Sequence, residues 1–336
     1  MKRLILITDH YPYTRGELPF IQPELAVTCQ HFEVTIICKS PVQEPEYSLP
    51  AGVKLYHYHR NATTGEKLRN LFGCLLDRNY YRSVFGKEHA KGSLRAREAE
   101  VRNFRLSAHL FQKYLRSEGF FDQIEHTIYY SYWYNYGALA LALEKQRHPR
   151  MRIITRTHGY DLYNERSPAG VQPYKYFMDR HLDAVFFVSR QARAYYLKHF
   201  ATQKNDHYKM AYLGVPDNGL NPPAKGDTIS LFSCSNVIPI KRLDLLVEAL
   251  SLLHGRNLRK SIFISSQKKS WGGIQKFPMH FWDRCPMKRL WIITNPHIST
   301  YFLRHRRQKE GPRYPLWRPF RLACLLLERM SEEFQR

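Results

Sequence analysis

Short apolar runs alternate with helically spaced segments along the first two thirds of the chain, and no other feature restricts the fold as much. Residues 2–8, 33–38, 53–59, 152–157 and 184–189 read as strands, as does the opening of 127–136, which then runs into an aromatic turn. The clearest of these runs, such as 2–8, are apolar over most of their length rather than at every second position. Such strands are buried on both faces, the condition of a parallel sheet. Between them, residues 21–31, 137–146, 191–199 and a segment closing at 179–182 read as helix. The long stretch 67–119 is rich in Arg and Lys and sets Val101, Phe104, Ala108, Phe111 and Leu115 near the helical period. Strand followed by helix, repeated, predicts an α/β fold: a Rossmann-like domain whose parallel sheet is covered on both faces.

Pro216, Gly219, Pro222, Pro223 and Gly226 crowd one short segment, the strongest linker signal in the 336 residues. The expected first domain is therefore 1–226. A new unit opens with a strand at 228–233 and a helix at 241–254, where Leu243, Leu246, Val247, Leu250 and Leu253 form an apolar stripe. Residues 227–257 read as the first strand-helix unit of a second, incomplete Rossmann-like domain. Beyond Asn257 the periodicity fades and the composition changes. Residues 259–336 hold 17 Lys and Arg against 5 Asp and Glu, about half of the net charge of +23, together with Trp271, Trp282, Trp291 and Trp317. Residues 258–336 are thus expected to form an atypical basic tail, out of frame or unrelated to what precedes it. A change of reading frame accounts for the shifts in charge, tryptophan content and periodicity together, and predicts short, poorly packed helices or coil.

At 43% hydrophobic and 24% charged residues the chain is globular rather than disordered. No apolar run reaches the roughly 20 residues that span a bilayer, and the apolar opening stops at Asp9, short of a secretory core of about 7–15 residues. A cytoplasmic protein is expected. The six cysteines, Cys29, Cys38, Cys74, Cys234, Cys285 and Cys324, lack CxxC spacing and read as reduced core residues rather than a zinc or redox motif. His57 and His59 share a strand face without a third ligand, so a structural role is expected.

Ligands of open α/β sheets bind beyond the carboxyl ends of the strands, and three segments there carry polar chemistry. The first is Asp9-His10-Tyr11-Pro12-Tyr13-Thr14-Arg15-Gly16-Glu17, where Gly16 lets backbone N–H groups approach an anion or a sugar and Glu17 is an acceptor for sugar hydroxyls. The second is Thr157-His158-Gly159-Tyr160-Asp161, where His158 can hydrogen-bond a reacting sugar and Asp161 can hold either the loop or the ring. The third runs from Ser233-Cys234-Ser235-Asn236 to Lys241-Arg242 at a helix start, a setting for a diphosphate. Two cations in a first helical turn oppose the helix dipole, so anion binding explains them better than stability does.

These segments, in this order and divided by a linker, resemble the retaining GT-B-fold glycosyltransferases of the group 1 family, which move a sugar from a nucleotide-diphosphate donor. The likeness is closest to the branch that builds bacterial exopolysaccharide and lipopolysaccharide. "YPYTRGELPFIQPEL" is similar to that family's first-strand loop and following helix, and "RTHGYDLY" to the segment bearing its active-site histidine. "DAVFFVSRQARAYYLKHF" with "LGV" resembles the strand, helix and turn before the domain crossover, and "SCSNVIPIKRLDLLVEAL" the opening of the donor-binding domain. The resemblance covers about residues 1–254. It implies that His158 and Asp161 are catalytic, with His158 on the transferred sugar, that Gly16 and Glu17 line the cleft, and that Asn236, Lys241 and Arg242 meet the donor diphosphate. The family usually has an arginine where Asn236 stands, so one cation is missing. Its donor domain also carries two glutamates eight residues apart, for which Glu328 and Glu332 are too close together. Activity in that family needs the second domain, so a donor domain left incomplete would make the chain inactive.

No metal and no cofactor is implied, the nucleotide-diphosphate sugar being the substrate. The implied partners are that nucleotide sugar and a glycan or lipid-linked acceptor, and the basic region 87–116 is compatible with peripheral contact at the inner face of a membrane. The other reading left open is a non-catalytic basic protein whose tail docks on polyanions through Arg304, Arg306, Arg307, Arg313 and Arg318 beside Tyr314 and Trp317. No RNA-binding motif supports nucleic acid as that partner.

Overall fold

Strand β1 (Lys2–Thr8) sends Leu4 and Leu6 to one face of its sheet and Ile5 and Ile7 to the other, and all four are buried. Each such side chain contributes about 1.5–3 kcal/mol relative to exposure, so β1 sits where both faces are covered. It pairs in parallel with β2 (Phe32–Cys38) on one side, and β2 pairs with β3 (Lys54–His57). The computed structural model describes residues 2–14, 16–86, 92–214, 230–234, 241–251, 261–267, 290–295 and 299–302. The chain divides into two units, Met1–Asn218 and Gly219–Arg336. The expected boundary at 226/227 lies outside the described residues.

On the other side of β1 stand β4 (Thr127–Ser131), β5 (Arg152–Thr157), β6 (Ala184–Phe187) and a short β7 (Tyr208–Met210) that the sequence pattern does not announce. The order β3-β2-β1-β4-β5-β6-β7 is parallel throughout. The chain builds outward from β1 to β3, then returns to lay β4 beside β1 and builds the other way. The crevice between β1 and β4 is therefore the topological switch point.

Helix α1 (Leu18–Thr28), with Pro19 in its first turn, covers Leu4, Leu6, Val34 and Ile36 through Ile21 and Leu25. The stretch expected as helical at 67–119 is three helices. α2 (Thr64–Leu75) opens on a capping box of Thr63 and Glu66, α3 (Arg78–Phe85) on an Asp77 cap, and α4 (Leu94–Ser117) on a Ser93 cap. α4 buries Val101, Ala108, Phe111 and Leu115 against the Ile5 and Ile7 face, as its spacing predicts. α5 (Tyr136–Lys145), α6 (Lys175–His181) and α7 (Arg190–His199) complete the unit. β3 ends before His59, and His57 Nε2 lies 2.7 Å from the Ser40 carbonyl oxygen, a structural contact. Among the described residues no group of three potential metal ligands occurs, Cys29, Cys38 and Cys74 are free thiols, and no helix is long and apolar enough to cross a membrane.

The second unit holds β8 (Ser230–Cys234), α8 (Leu243–Ser251), β9 (Ser261–Gln267), β10 (Leu290–Asn295) and β11 (Ser299–Phe302). β8, β9 and β10 are parallel neighbours, and β11 pairs antiparallel with β10. Strands therefore continue into the region expected to hold only short helices and coil. Runs such as Ile262-Phe263-Ile264 and Trp291-Ile292-Ile293 are β-branched and aromatic, and they favour extended backbone whatever surrounds them. Asn236, Trp271, Trp282, Trp317, the arginines expected to meet polyanions, Glu328 and Glu332 lie outside the described residues.

Candidate functional site

The loops leaving β1, β2, β4 and β5 converge at the carboxyl edge of the first sheet, on either side of the switch point. Lys39 directly follows β2, and its side chain is 1% exposed. Its ammonium lies 2.8 Å from Asp9 Oδ1 and donates to Asn135 Oδ1 at 2.8 Å. Asn135 Nδ2 in turn donates to Asp9 Oδ2 at 2.7 Å, which closes a triangle across the switch point. The Lys39 ammonium also stands 3.9 Å above the Tyr136 ring. Burial by itself disfavours both charges. The attraction between them outweighs it, holding the Asp9 carboxyl below its ordinary range and the Lys39 ammonium above its own. Asn135 serves twice, because its Oδ1 also caps α5 by accepting from the Gly137 N–H at 3.0 Å.

Glu17 is fully buried, with a task different from the hydroxyl-accepting one expected of it. Its carboxylate accepts from the backbone N–H groups of Asp9 at 3.1 Å, His10 at 2.9 Å and Tyr11 at 2.7 Å, and from the Trp133 indole N–H. Four donors occupy its lone pairs, so Glu17 shapes the loop rather than lining the cleft. A Cβ on exposed Gly16 would meet nothing closer than His10 Cδ2 at 3.6 Å, so the loop does not require a glycine there. Through Trp133 this loop reaches the next one, since that indole packs 4.1 Å from the His158 ring and 4.8 Å from the Tyr160 ring, centroid to centroid.

His158 follows β5 and is 8% exposed, walled by Trp133 and by Tyr132 at 5.1 Å. Neither ring nitrogen has a hydrogen-bond partner among the described residues, the nearest carboxylate oxygen being Asp161 Oδ2 at 3.8 Å from Nδ1. A buried imidazole with both nitrogens uncommitted is out of keeping with ordinary interiors, where such groups are paired. Asp161 is committed instead to the loop, accepting from the His158 N–H at 2.6 Å and the Tyr134 N–H at 2.9 Å. It shapes the His158 turn and joins it to the β4 loop. Arg156, one strand position from the edge, pairs with Glu24 at 2.5 Å.

The fold is Rossmann-like. No protein-family model matches the chain, and no curated protein matches it. Among solved structures it is similar to the apo form of the lipopolysaccharide outer core galactosyltransferase WaaB, with 9% identity over 80% of this chain and 61% of that one and a TM-score of 0.49. It is also similar to Anabaena HepE in complex with UDP and glucose, with 11% identity over 87% of this chain and 69% of that one and a TM-score of 0.48. A UDP-N-acetylglucosamine 2-epimerase from Rickettsia bellii matches at 11% identity over 89% and 70% of the two chains, with a TM-score of 0.41. The chain spans 61% of the length of the galactosyltransferase.

Of the residues singled out from sequence, Glu17, His158 and Asp161 come together at this edge, Gly16 lies on the outer part of the same loop, and Lys241 and Arg242 belong to the second unit. Both precede α8 rather than occupying its first turn, and Arg242 adopts φ 47°. Its guanidinium pairs with Asp244 at 3.0 Å, so the expected conflict with the helix dipole is met by a local counter-charge. Lys241 is exposed. Sequence reading missed Lys39, Trp133 and Asn135. Lys39 follows a strand end as His158 does, and Asn135 sits just ahead of an Ala- and Leu-rich helix, so strand-end position and the N-cap preference were the available signals.

Proposed function

We propose that this chain is a glycosyltransferase of the retaining type, moving a sugar from a nucleotide-diphosphate sugar to a glycan or lipid-linked acceptor. The observation that carries the reading is His158: a buried imidazole at a strand's carboxyl end, beside the switch point, walled by aromatic rings and with neither nitrogen committed among the described residues. Its task is to hydrogen-bond a hydroxyl of the transferred sugar, while half-buried Trp133 presents a flat apolar face of the kind sugars stack on and fully buried Tyr132 backs the His158 ring. Asp161 and Glu17 position the loops. The order of sequence segments likened to exopolysaccharide and lipopolysaccharide transferases supports the same reading.

In this reaction the bond between the anomeric carbon and the diphosphate oxygen breaks. The acceptor hydroxyl oxygen attacks from the face the diphosphate leaves, and its proton passes to the departing phosphate. Lys241, Arg242 and Asn236 meet the diphosphate in this reading, the cations stabilising charge as it develops.

Release of nucleoside diphosphate from a panel of nucleotide sugars, with and without lipid-linked acceptors, tests it. His158→Ala should lower turnover by roughly 100-fold or more with its melting temperature retained. Lys241→Ala should weaken nucleotide-sugar binding by about tenfold. Turnover unchanged by His158→Ala would remove the assignment.

A further inference from the structure

Helix α2 turns its apolar side away from the protein. Asn70 and Cys74 face inward, while Leu68, Leu71, Phe72, Leu75 and Leu76 are exposed, Phe72 at 67% and Leu76 at 91%. At about 100° per residue these five side chains fill one arc of roughly 140° on the side opposite Asn70 and Cys74. Lys67 and Arg69 fall at its two edges, and Arg78 opens the next helix, whose last residue, Phe85, is again exposed. The neighbouring acids are engaged elsewhere, Glu66 with Arg60 at 2.6 Å and Asp77 with Arg105 at 3.1 Å, whereas Lys67, Arg69 and Arg78 make no ion pair among the described residues.

A surface helix gains stability by burying its apolar stripe, and here the stripe faces outward with cations on its rim. The surface that matches it is apolar beneath and anionic at its boundary. We propose that α2 is an interfacial anchor that lies in the headgroup plane of an anionic membrane, with Leu68, Leu71, Phe72, Leu75 and Leu76 in the acyl boundary and Lys67, Arg69 and Arg78 among the phosphates. A two-fold dimer through the same face would set the basic rim of one copy against that of the other, so charge favours lipid over a second copy. β3 delivers the chain toward α2 from the carboxyl edge of the sheet, the edge at which Asp9, Lys39, Asn135 and His158 gather. The anchor stands independently of the sugar-transfer reading.

Flotation of the whole chain with vesicles tests it, comparing phosphatidylcholine alone with vesicles in which about a third of the lipid is phosphatidylglycerol. The chain should float with the anionic vesicles and be released by salt. Joint replacement Phe72→Ser and Leu75→Ser should lower partition by about tenfold or more with circular-dichroism melting unchanged, since both side chains are exposed. Joint replacement Lys67→Gln, Arg69→Gln and Arg78→Gln should lower it similarly and remove the salt sensitivity. Absence of flotation by the folded chain, equal flotation with both lipids, or partition indifferent to both variants would overturn the proposal. So would ultracentrifugation showing that the apolar variant only converts a dimer into a monomer.

Discussion

The ammonium of Lys39 lies 2.8 Å from the carboxylate of Asp9, buried between two loops that are thirty residues apart in sequence and adjacent at the sheet edge. Removing either partner leaves a charge without its counter-ion. Lys39→Met or Asp9→Asn is expected to destabilise the first unit by about 3–5 kcal/mol, and the double variant by less than the sum. The pH dependence has two ends. Asp9's folded pKa is depressed below 3.8, so its contribution is present above that value and is lost as pH falls through the folded pKa. Lys39's is raised above 10.5, so its contribution is present below that value and is lost as pH rises through the folded pKa. Urea midpoints measured across that range should show the wild-type advantage over the double variant flat in between and shrinking at both ends.

Gly137 lies in the first turn of α5, and a Cβ there would stand 3.0 Å from Lys39 Nζ and 3.1 Å from Ser131 Oγ. Alanine normally gains about 1 kcal/mol over glycine in a helix. The ammonium is held by Asp9, Asn135 and the Tyr136 ring, so it yields poorly, and Gly137→Ala should instead destabilise by about 1–2 kcal/mol. Gly65 in α2 has nothing within 4 Å, and Gly65→Ala should stabilise. Thermal melts of the two variants moving in the same direction would contradict this account.

Glu17→Gln keeps the shape of the side chain and replaces one oxygen by an N–H donor facing a ring of donors. At least one backbone N–H or the Trp133 indole then loses its acceptor, at a cost of about 1–3 kcal/mol. Near-ultraviolet circular dichroism should report a changed Trp133 environment alongside a lower melting temperature. A signal and a stability like wild type would mean that the loop does not depend on this carboxylate.

Lys175 at the start of α6 is buried, with its ammonium donating to the Tyr134 carbonyl oxygen at 2.5 Å and lying 3.7 Å from the Tyr134 ring centre. Burial lowers its pKa from 10.5 to about 7, with Asp161 opposing that shift. Between those values the unfolded chain holds a proton that the folded chain lacks, so stability rises with pH across that window. Lys175→Met should therefore stabilise at or below neutral pH, by up to a few kcal/mol, with the gain shrinking toward alkaline pH. Urea midpoints near pH 6 and near pH 10 check this, and a gain larger at the alkaline end would reverse the sign.

The strand runs, the amphipathic face of α4 and the strand-end positions of His158 and Asp161 were legible in the sequence because they rest on local periodicity, which burial in a parallel sheet imposes residue by residue. The division of 67–119 into three helices was written there as well, in the Thr63, Asp77 and Ser93 caps, although apolar spacing alone does not separate them. Tertiary structure decided what the polar residues do. Glu17 became a loop brace because Trp133 and three backbone N–H groups surround it, and Lys39 became part of the switch-point edge because β1 lies between β2 and β4. It also decided that the apolar side of α2 faces outward, which the sequence of that helix cannot say, since a stripe has the same period whichever way it turns. Periodicity is a property of neighbours along the chain, whereas the partner of a charge or a hydrogen bond is a neighbour in space, set by strand order and register.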